Sequence, residues 1–304
     1  MKQYLLISNT NDRIIDDNTL NYVSSQIEKN TSTKSEYREL SPQKAYEWEL
    51  FFNNGIKEFK LIIKKKFIKS NIDCNFINFK KKDRKKKLLI ADMDGTIIKE
   101  ESLNELAKHL GQEEKIKKIT SEAMNGKIDF KKALIERVAI LQGCKTQVLD
   151  NLKQNININD GAQEVIKTMK QNGATTVLVS GGFTFLTDHL KQLLGFNYSH
   201  ANKLEIIKKN RIKELSGKVL DPILDKKAKR AYLDKYIKEY QLTYDDAICV
   251  GDGANDKEMV QKAGLGVSFN GKKVLDDFAN IHFKNTNLLG LLYAQGYKDR
   301  EILN

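Results

Sequence analysis

A chain of 304 residues, 40% hydrophobic and 30% charged, is long enough for two domains and a sizeable core. No stretch has the apolar length that crosses a bilayer, and the N-terminus lacks the basic-then-apolar pattern of a signal peptide, so a cytoplasmic protein is expected. Lys and Arg outnumber Asp and Glu by 52 to 40, a net charge of +12. Through Lys87 the count is 19 against 11, so +8 of that excess lies in the first part of the chain.

Residues 1–80 read as a separate N-terminal α/β domain. Apolar spacing predicts a strand over 4–8, a helix over 17–29 with Leu20, Val23 and Ile27 inward, a helix over 56–69 and a strand over 72–79. No ligand motif appears in it. The basic run that follows is taken as a linker over 81–87. It could meet phosphates of a nucleic acid or an anionic surface, but no nucleic-acid fold accompanies it, and a solvated linker explains it with less. Cys74, Cys144 and Cys249 lie far apart without paired spacing, which argues for a reducing compartment and against a zinc or disulfide framework. The four histidines form no catalytic or metal pattern.

Residues 88–304 carry the chemistry. Leu88-Leu89-Ile90-Ala91 is a short buried strand that delivers Asp92 and Asp94 into a turn eased by Gly95. Two carboxylates at the carboxyl end of a strand suit metal-assisted phosphoryl transfer; the plain alternative is that they only cap the turn. An insertion over about 103–172 is mostly helical by pattern, with Leu103, Leu106, Ala107 and Leu110 on one face and Phe130, Leu134, Val138 and Leu141 on another. A third apolar run, 175–179, ends in Ser180-Gly181-Gly182 at an expected helix start, where free amides favour an anion. Lys229 lies in a basic helix start and offers a compact charge to phosphate, with Lys226, Lys227 and Arg230 read as a solvated face around it. Ala247-Ile248-Cys249-Val250-Gly251 then opens into the acidic loop Asp252-Gly253-Ala254-Asn255-Asp256, so two acidic strand ends can face one cation.

In this order the loops resemble the four motifs of the haloacid dehalogenase (HAD) superfamily, and the resemblance, from about Lys87 onward, tightens to the phosphoserine phosphatase family. It rests also on Glu101, on the segment 118–130 with Met124 and Phe130, and on Arg137. Gly95 departs from that family, which more often has serine there. The resemblance implies a doubly wound, Rossmann-like α/β core with a helical cap, and an N-terminal domain similar in position to ACT-like, amino-acid-binding domains. Dimerisation, serine sensing and plain packing are its alternative roles.

The implied reaction is magnesium-dependent hydrolysis of O-phosphoserine through an aspartyl phosphate, completing serine synthesis. Asp92 would be nucleophile and Asp94 general acid and base. Asp92, the backbone carbonyl of Asp94, and Asp252 would hold the metal. Ser180, the Gly181 amide and Lys229 would hold the transferring phosphate, with Asn255 and Asp256 in support, unless these two only start a helix. In the cap, Arg137 would take the substrate carboxylate and Glu101 its ammonium, with Met124 and Phe130 as an apolar lid; the plain readings are a surface ion pair and core packing. Rival functions are a phosphotransferase, a phosphatase for another small phosphomonoester, and a regulatory or nucleic-acid-associated protein using the basic linker.

Overall fold

A computed structural model describes residues 2–11, 14–31, 35–51, 56–79, 83–124, 128–225 and 227–303. The first sheet is built from β1 (Lys2–Ser8), β2 (Tyr37–Ser41), β3 (Ala45–Leu50) and β4 (Asp73–Phe79), with α1 (Asp17–Thr31) and α2 (Ile56–Phe67) between strands. Its order is β2-β3-β1-β4 and every pairing is antiparallel, a split βαββαβ arrangement. Five successive residues of β1, Tyr4 to Ser8, are buried because both faces are covered. Leu5 and Ile7 pack with Leu20, Val23, Ile27, Phe59 and Ile63 of the helices. Tyr4 and Leu6 point the other way and join Leu40, Ala45, Ile77 and Phe79 in the core shared with the rest of the chain. The period of two thus sends alternate side chains to two different cores. The hairpin β2–β3 is absent from the sequence expectation. Its acidic residues weaken the apolar alternation, although Pro42 and Gln43, the latter at φ 61°, mark the turn.

The second sheet comprises β5 (Leu88–Ala91), β6 (Thr175–Phe183), β7 (Tyr198–Lys209), β8 (Ile212–Leu220), β9 (Ala247–Gly251), β10 (Leu265–Phe269) and β11 (Ile281–Phe283). The order is β11-β10-β9-β5-β6-β7-β8, parallel except for the β7–β8 hairpin. β5 is central, and all four of its residues are buried, as expected for a parallel strand covered on both faces.

The expected cap over 103–172 divides in two. α3 (Ser102–His109), α4 (Glu113–Met124), α5 (Phe130–Ala139) and α6 (Gln147–Asn155) form it, and the chain returns where Ile98 bridges Ile158. α7 (Ala162–Gln171) belongs to the core instead, as the crossover that parallel strands β5 and β6 require. Its buried Ala162, Val165, Ile166 and Met169 have the same spacing as a cap helix, which is why pattern alone could not separate them. β8 also ties down the cap, since Gly143 and Thr146 donate to the carbonyls of Leu215 and Lys213 while Leu215 donates to that of Cys144.

The two sheets meet along β4 and β11. Asn75 bonds both backbone groups of His282, at 2.9 and 2.8 Å, and Asp73 accepts the amides of Lys284 at 3.1 Å and Asn285 at 2.9 Å. Side chains of one sheet therefore satisfy the free edge of the other. The reading of 81–87 as a solvated linker is corrected by this seam. Both terminal nitrogens of Arg84 hold the buried Glu47 carboxylate, at 2.9 and 2.6 Å, and its guanidinium lies 3.9 Å from the Tyr4 ring centroid. Lys86 is buried too, its ammonium 2.7 Å from the Asp245 carbonyl. Residues 81 and 82 lie outside the described residues.

Candidate active site

Strand register sets the site. Ala91 pairs with Leu178 of β6 and Val250 of β9, so Asp92, Ser180 and Asp252 emerge near one level at neighbouring strand ends. This is the crevice where doubly wound sheets bind ligands. Asp92 donates its amide to the Val250 carbonyl at 3.0 Å, and a wide turn over Met93–Ile97 is closed by Ile98 N–H to the Met93 carbonyl. Within that turn Gly95 has φ +67°, and a Cβ there would stand 3.0 Å from Asp252 Oδ2. Glycine at this position lets the two acidic loops approach closely.

The expected helix start at Ser180–Gly182 is displaced. β6 continues to Phe183, and α8 (Thr184–Leu194) begins beyond it. Gly181 is therefore not one of the free amides of a helix. The register with β7 shifts between Val179 and Phe183, opening the strand locally. There the buried Ser180 Oγ accepts Gly182 N–H at 2.8 Å, and buried Asn202 donates to the Gly181 carbonyl at 2.8 Å. Asn202 is a supporting residue that the sequence did not single out.

Lys229 enters from the first turn of α9 (Ala228–Glu239), its Nζ 2.7 Å from Asp92 Oδ1 and 2.5 Å from Asp256 Oδ1. Asp256 is fully buried and also accepts the amides of Asp252 and Gly253, at 3.2 and 3.1 Å. It thus anchors both the lysine and the acidic loop. Gly251 makes room for it, since a Cβ there would lie 2.2 Å from Asp256 Cγ.

Carboxylates exceed cations in this space. Burial, and then Asp256, push the Asp92 carboxyl well above the usual range against the pull of Lys229. Burial and Asp256 raise Asp252 as well. Burial alone would lower the ammonium of Lys229, but Asp256 and Asp92 outweigh it and hold it above its ordinary value. Asp94 is pushed up to about 7 by burial and then by Glu101, although it accepts Ser102 N–H at 3.0 Å and Ser102 Oγ–H at 3.1 Å. A carboxyl held near neutrality can both give and take a proton. Ser102, at the start of α3, is a second supporting residue the sequence reading missed.

Oxygens of Asp92, Asp252 and Asp256 lie within 4.8 Å of one another. Asp256 is engaged by Lys229 and two amides, which leaves Asp92 and Asp252 with capacity to coordinate. Crowded carboxylates with raised proton affinity and only oxygen donors fit a hard divalent cation.

Phe130, Ser180, Gly181, Lys229 and Asn255 line one small cavity beside this cluster. The cap thus meets the core at the predicted lid residue. Arg137 is mostly buried, bonding the Thr120 hydroxyl at 3.3 Å and the Ala133 carbonyl at 3.2 Å, neither of them a carboxylate. Burial lowers its pKa, opposed by Glu101 and Asp94. Glu101 immediately precedes α3, half exposed, with Lys272 Nζ at 3.9 Å. Lys272, also 3.5 Å from Asp252 Oδ2, carries no sequence signal. The side chain of Met124 lies outside the described residues. Lys227 is exposed, Arg230 is held by Asp234 at 2.8 Å, and residue 226 lies outside the described residues.

A family model described as haloacid dehalogenase-like hydrolase matches residues 86–264. The chain is 38% identical over 209 residues to a phosphoserine phosphatase of Archaeoglobus fulgidus, an alignment covering 69% of this chain and 60% of that one. A solved phosphoserine phosphatase with substrate bound is 37% identical, with a TM-score of 0.62 over 69% of this chain and 98% of its own. The chain belongs to the haloacid dehalogenase-like hydrolases, in their phosphoserine phosphatase branch. A HAD family hydrolase from Salmonella enterica serovar Typhi, 23% identical, has a TM-score of 0.82 over 96% of this chain and 98% of its own, so the shared fold extends through the N-terminal sheet. This phosphoserine phosphatase relative spans 60% of the length of the Archaeoglobus protein, and its own N-terminal sheet lies outside the residues matched by the family model.

Proposed function

We propose that this chain is a magnesium-dependent phosphatase that hydrolyses O-phosphoserine to serine and phosphate, the last step of serine synthesis, in the cytoplasm. The observation that carries the reading is a buried nucleophile candidate, Asp92, between Lys229 and Asp252, two residues before a carboxyl held near neutrality. Asp92 attacks phosphorus while the seryl oxygen leaves with a proton from Asp94. Water, deprotonated by Asp94, then attacks the aspartyl phosphate, releasing phosphate and regenerating Asp92. Ser180, the Gly181 amide and Lys229 hold the phosphoryl oxygens, with Asp256 and Asn255 fixing their surroundings. Asp92, Asp252 and the Asp94 carbonyl would hold magnesium, which offsets the repulsion between carboxylate and phosphate.

Screening small phosphate esters with and without magnesium, reading both free phosphate and transfer to added alcohols, tests this. Phosphoserine is expected to be the preferred ester, with activity lost to chelator and restored by magnesium. Transfer outpacing hydrolysis would make the chain a phosphotransferase. The nucleic-acid reading is weakened by the engagement of Arg84 and Lys86 inside the protein. Among the described residues no helix is long and apolar enough to cross a membrane.

We further propose that residues 88–304 are sufficient for catalysis and that 1–80 act as a docked support, whether or not they also dimerise. A chain beginning at Arg84 would keep every site candidate but expose the apolar face that packs on Tyr4, Leu6, Ile77 and Phe79. It should melt lower by several degrees, roughly 2–4 °C for each kcal/mol lost, with turnover within about threefold of the full chain, a small effect on the barrier. A folded, soluble truncation without turnover would place part of the site in the first domain.

A further inference from the structure

Lys272 lies outside the residues that the proposed mechanism uses, yet the fold directs it into the site. Its amide donates to the Asp252 carbonyl at 2.8 Å, and its own carbonyl accepts Leu275 N–H at 2.8 Å. The preceding residues are fixed as well. Asn270 donates to the Phe283 carbonyl at 2.8 Å, and a Cβ on Gly271 would lie 2.1 Å from Ser268 Oγ. From this rigid root the long side chain places its ammonium between two acidic loops, 3.5 Å from Asp252 Oδ2 and 3.9 Å from Glu101 Oε1.

We infer that Lys272 is a specificity-determining residue: its ammonium is the resident counter-ion of Glu101 and must swing aside before a substrate ammonium can pair there. The inference rests on the phosphoserine reading, in which Glu101 receives the amino group. Lys272 differs from Lys229 in the respect that matters. Lys229 is buried and hydrogen-bonded, whereas Lys272 and Glu101 are each about half exposed, at 48% and 54%, and separated by more than a hydrogen bond. Such a pair is screened and exchangeable, and the four-carbon stem lets the ammonium turn away from Glu101 while keeping its closer partner, the mostly buried Asp252 carboxylate at 3.5 Å. Displacement is required only of ligands that bring a cation. In L-3-phosphoglycerate a hydroxyl replaces the ammonium of phosphoserine on the same skeleton and with the same configuration, so it has nothing to gain from an emptied Glu101.

Lys272→Ala should therefore lower KM for phosphoserine about threefold to fivefold, the range of an exposed ion pair, with kcat nearly unchanged. The Ki of L-3-phosphoglycerate as a competing ligand should stay level or rise, and Lys272→Arg should behave as wild type. Calorimetry gives a readout without turnover: L-serine should bind the alanine variant more tightly by a similar factor, and L-glycerate, which has the same configuration, should not. Equal shifts for ammonium and hydroxyl ligands would reduce Lys272 to a general field and overturn the inference. A higher KM for phosphoserine would make it a substrate contact instead, with the same consequence. If the wild-type protein hydrolyses phosphoserine and the ratio does not move, this inference fails alone. No turnover of phosphoserine by the wild type removes the reading beneath it and overturns both.

Discussion

Replacing the Asp92 carboxylate by an amide in Asp92→Asn should reduce turnover by at least roughly 10³-fold, because the nucleophile and a metal ligand disappear together. Folding should not suffer in parallel. Asp92 is buried among carboxylates, and its carboxyl is held well above the usual range by burial and then by Asp256. A group whose folded pKa is raised favours its protonated form in the native state, so its ionised form at neutral pH opposes folding. The neutral amide removes that opposition, and Lys229 keeps Asp256 at 2.5 Å as its partner. The variant is expected to melt at the same temperature as the wild type or above it while losing activity. Near-normal turnover would end the aspartyl-phosphate mechanism, and a large fall in melting temperature would show that Asp92 works mainly as a structural counter-ion of Lys229. Asp94→Asn separates the second role. Its loss should be greater for a poor leaving group such as serine than for an activated aryl phosphate, and equal losses would remove Asp94 from the acid step.

How legible this site was depends on where each residue obtains its position. Asp92 and Asp252 follow short uncharged strands and Ser180 lies within a third, and parallel register brings these distant segments to one level, so the sequence pattern and the geometry coincide. Lys229 was legible only in combination with those loops, since a lysine in a basic helix start looks like any solvated cation. Ser102, Asn202 and Lys272 act through backbone turns and bulges that have no periodic signature, and nothing in composition marks them. The cap boundary is hidden for the opposite reason, a periodicity that two units have in common. α7 and the cap helices share one apolar spacing, and only the crossover requirement of β5 and β6 assigns α7 to the core. The basic run before β5 resembles a solvated linker in sequence because its partners lie far away along the chain. Arg84 bonds buried Glu47 from 37 residues upstream, and Lys86 reaches a carbonyl 159 residues downstream.

Arg137→Ala should cut kcat/KM for phosphoserine by roughly 30-fold to 10³-fold while leaving phosphoethanolamine or an aryl phosphate nearly unaffected. The guanidinium is mostly buried, and its bonds go to a hydroxyl and a backbone carbonyl. Glu101 and Asp94 favour its charge from a distance against the burial that opposes it. A cation already taken out of water, with donors to spare, gains most from an incoming carboxylate that two parallel hydrogen bonds can engage. Removing it strands the substrate carboxylate in a desolvated cap at a cost of about 2 to 4 kcal/mol. Esters without a carboxylate have no such contact to lose. Arg137→Lys should recover only part of the efficiency, because a single ammonium cannot reproduce the planar fork. Comparable losses on every ester would mean that Arg137 instead holds α5 and Phe130 in place over Ser180 and Lys229. Unchanged efficiency on phosphoserine would take the substrate carboxylate away from the cap altogether.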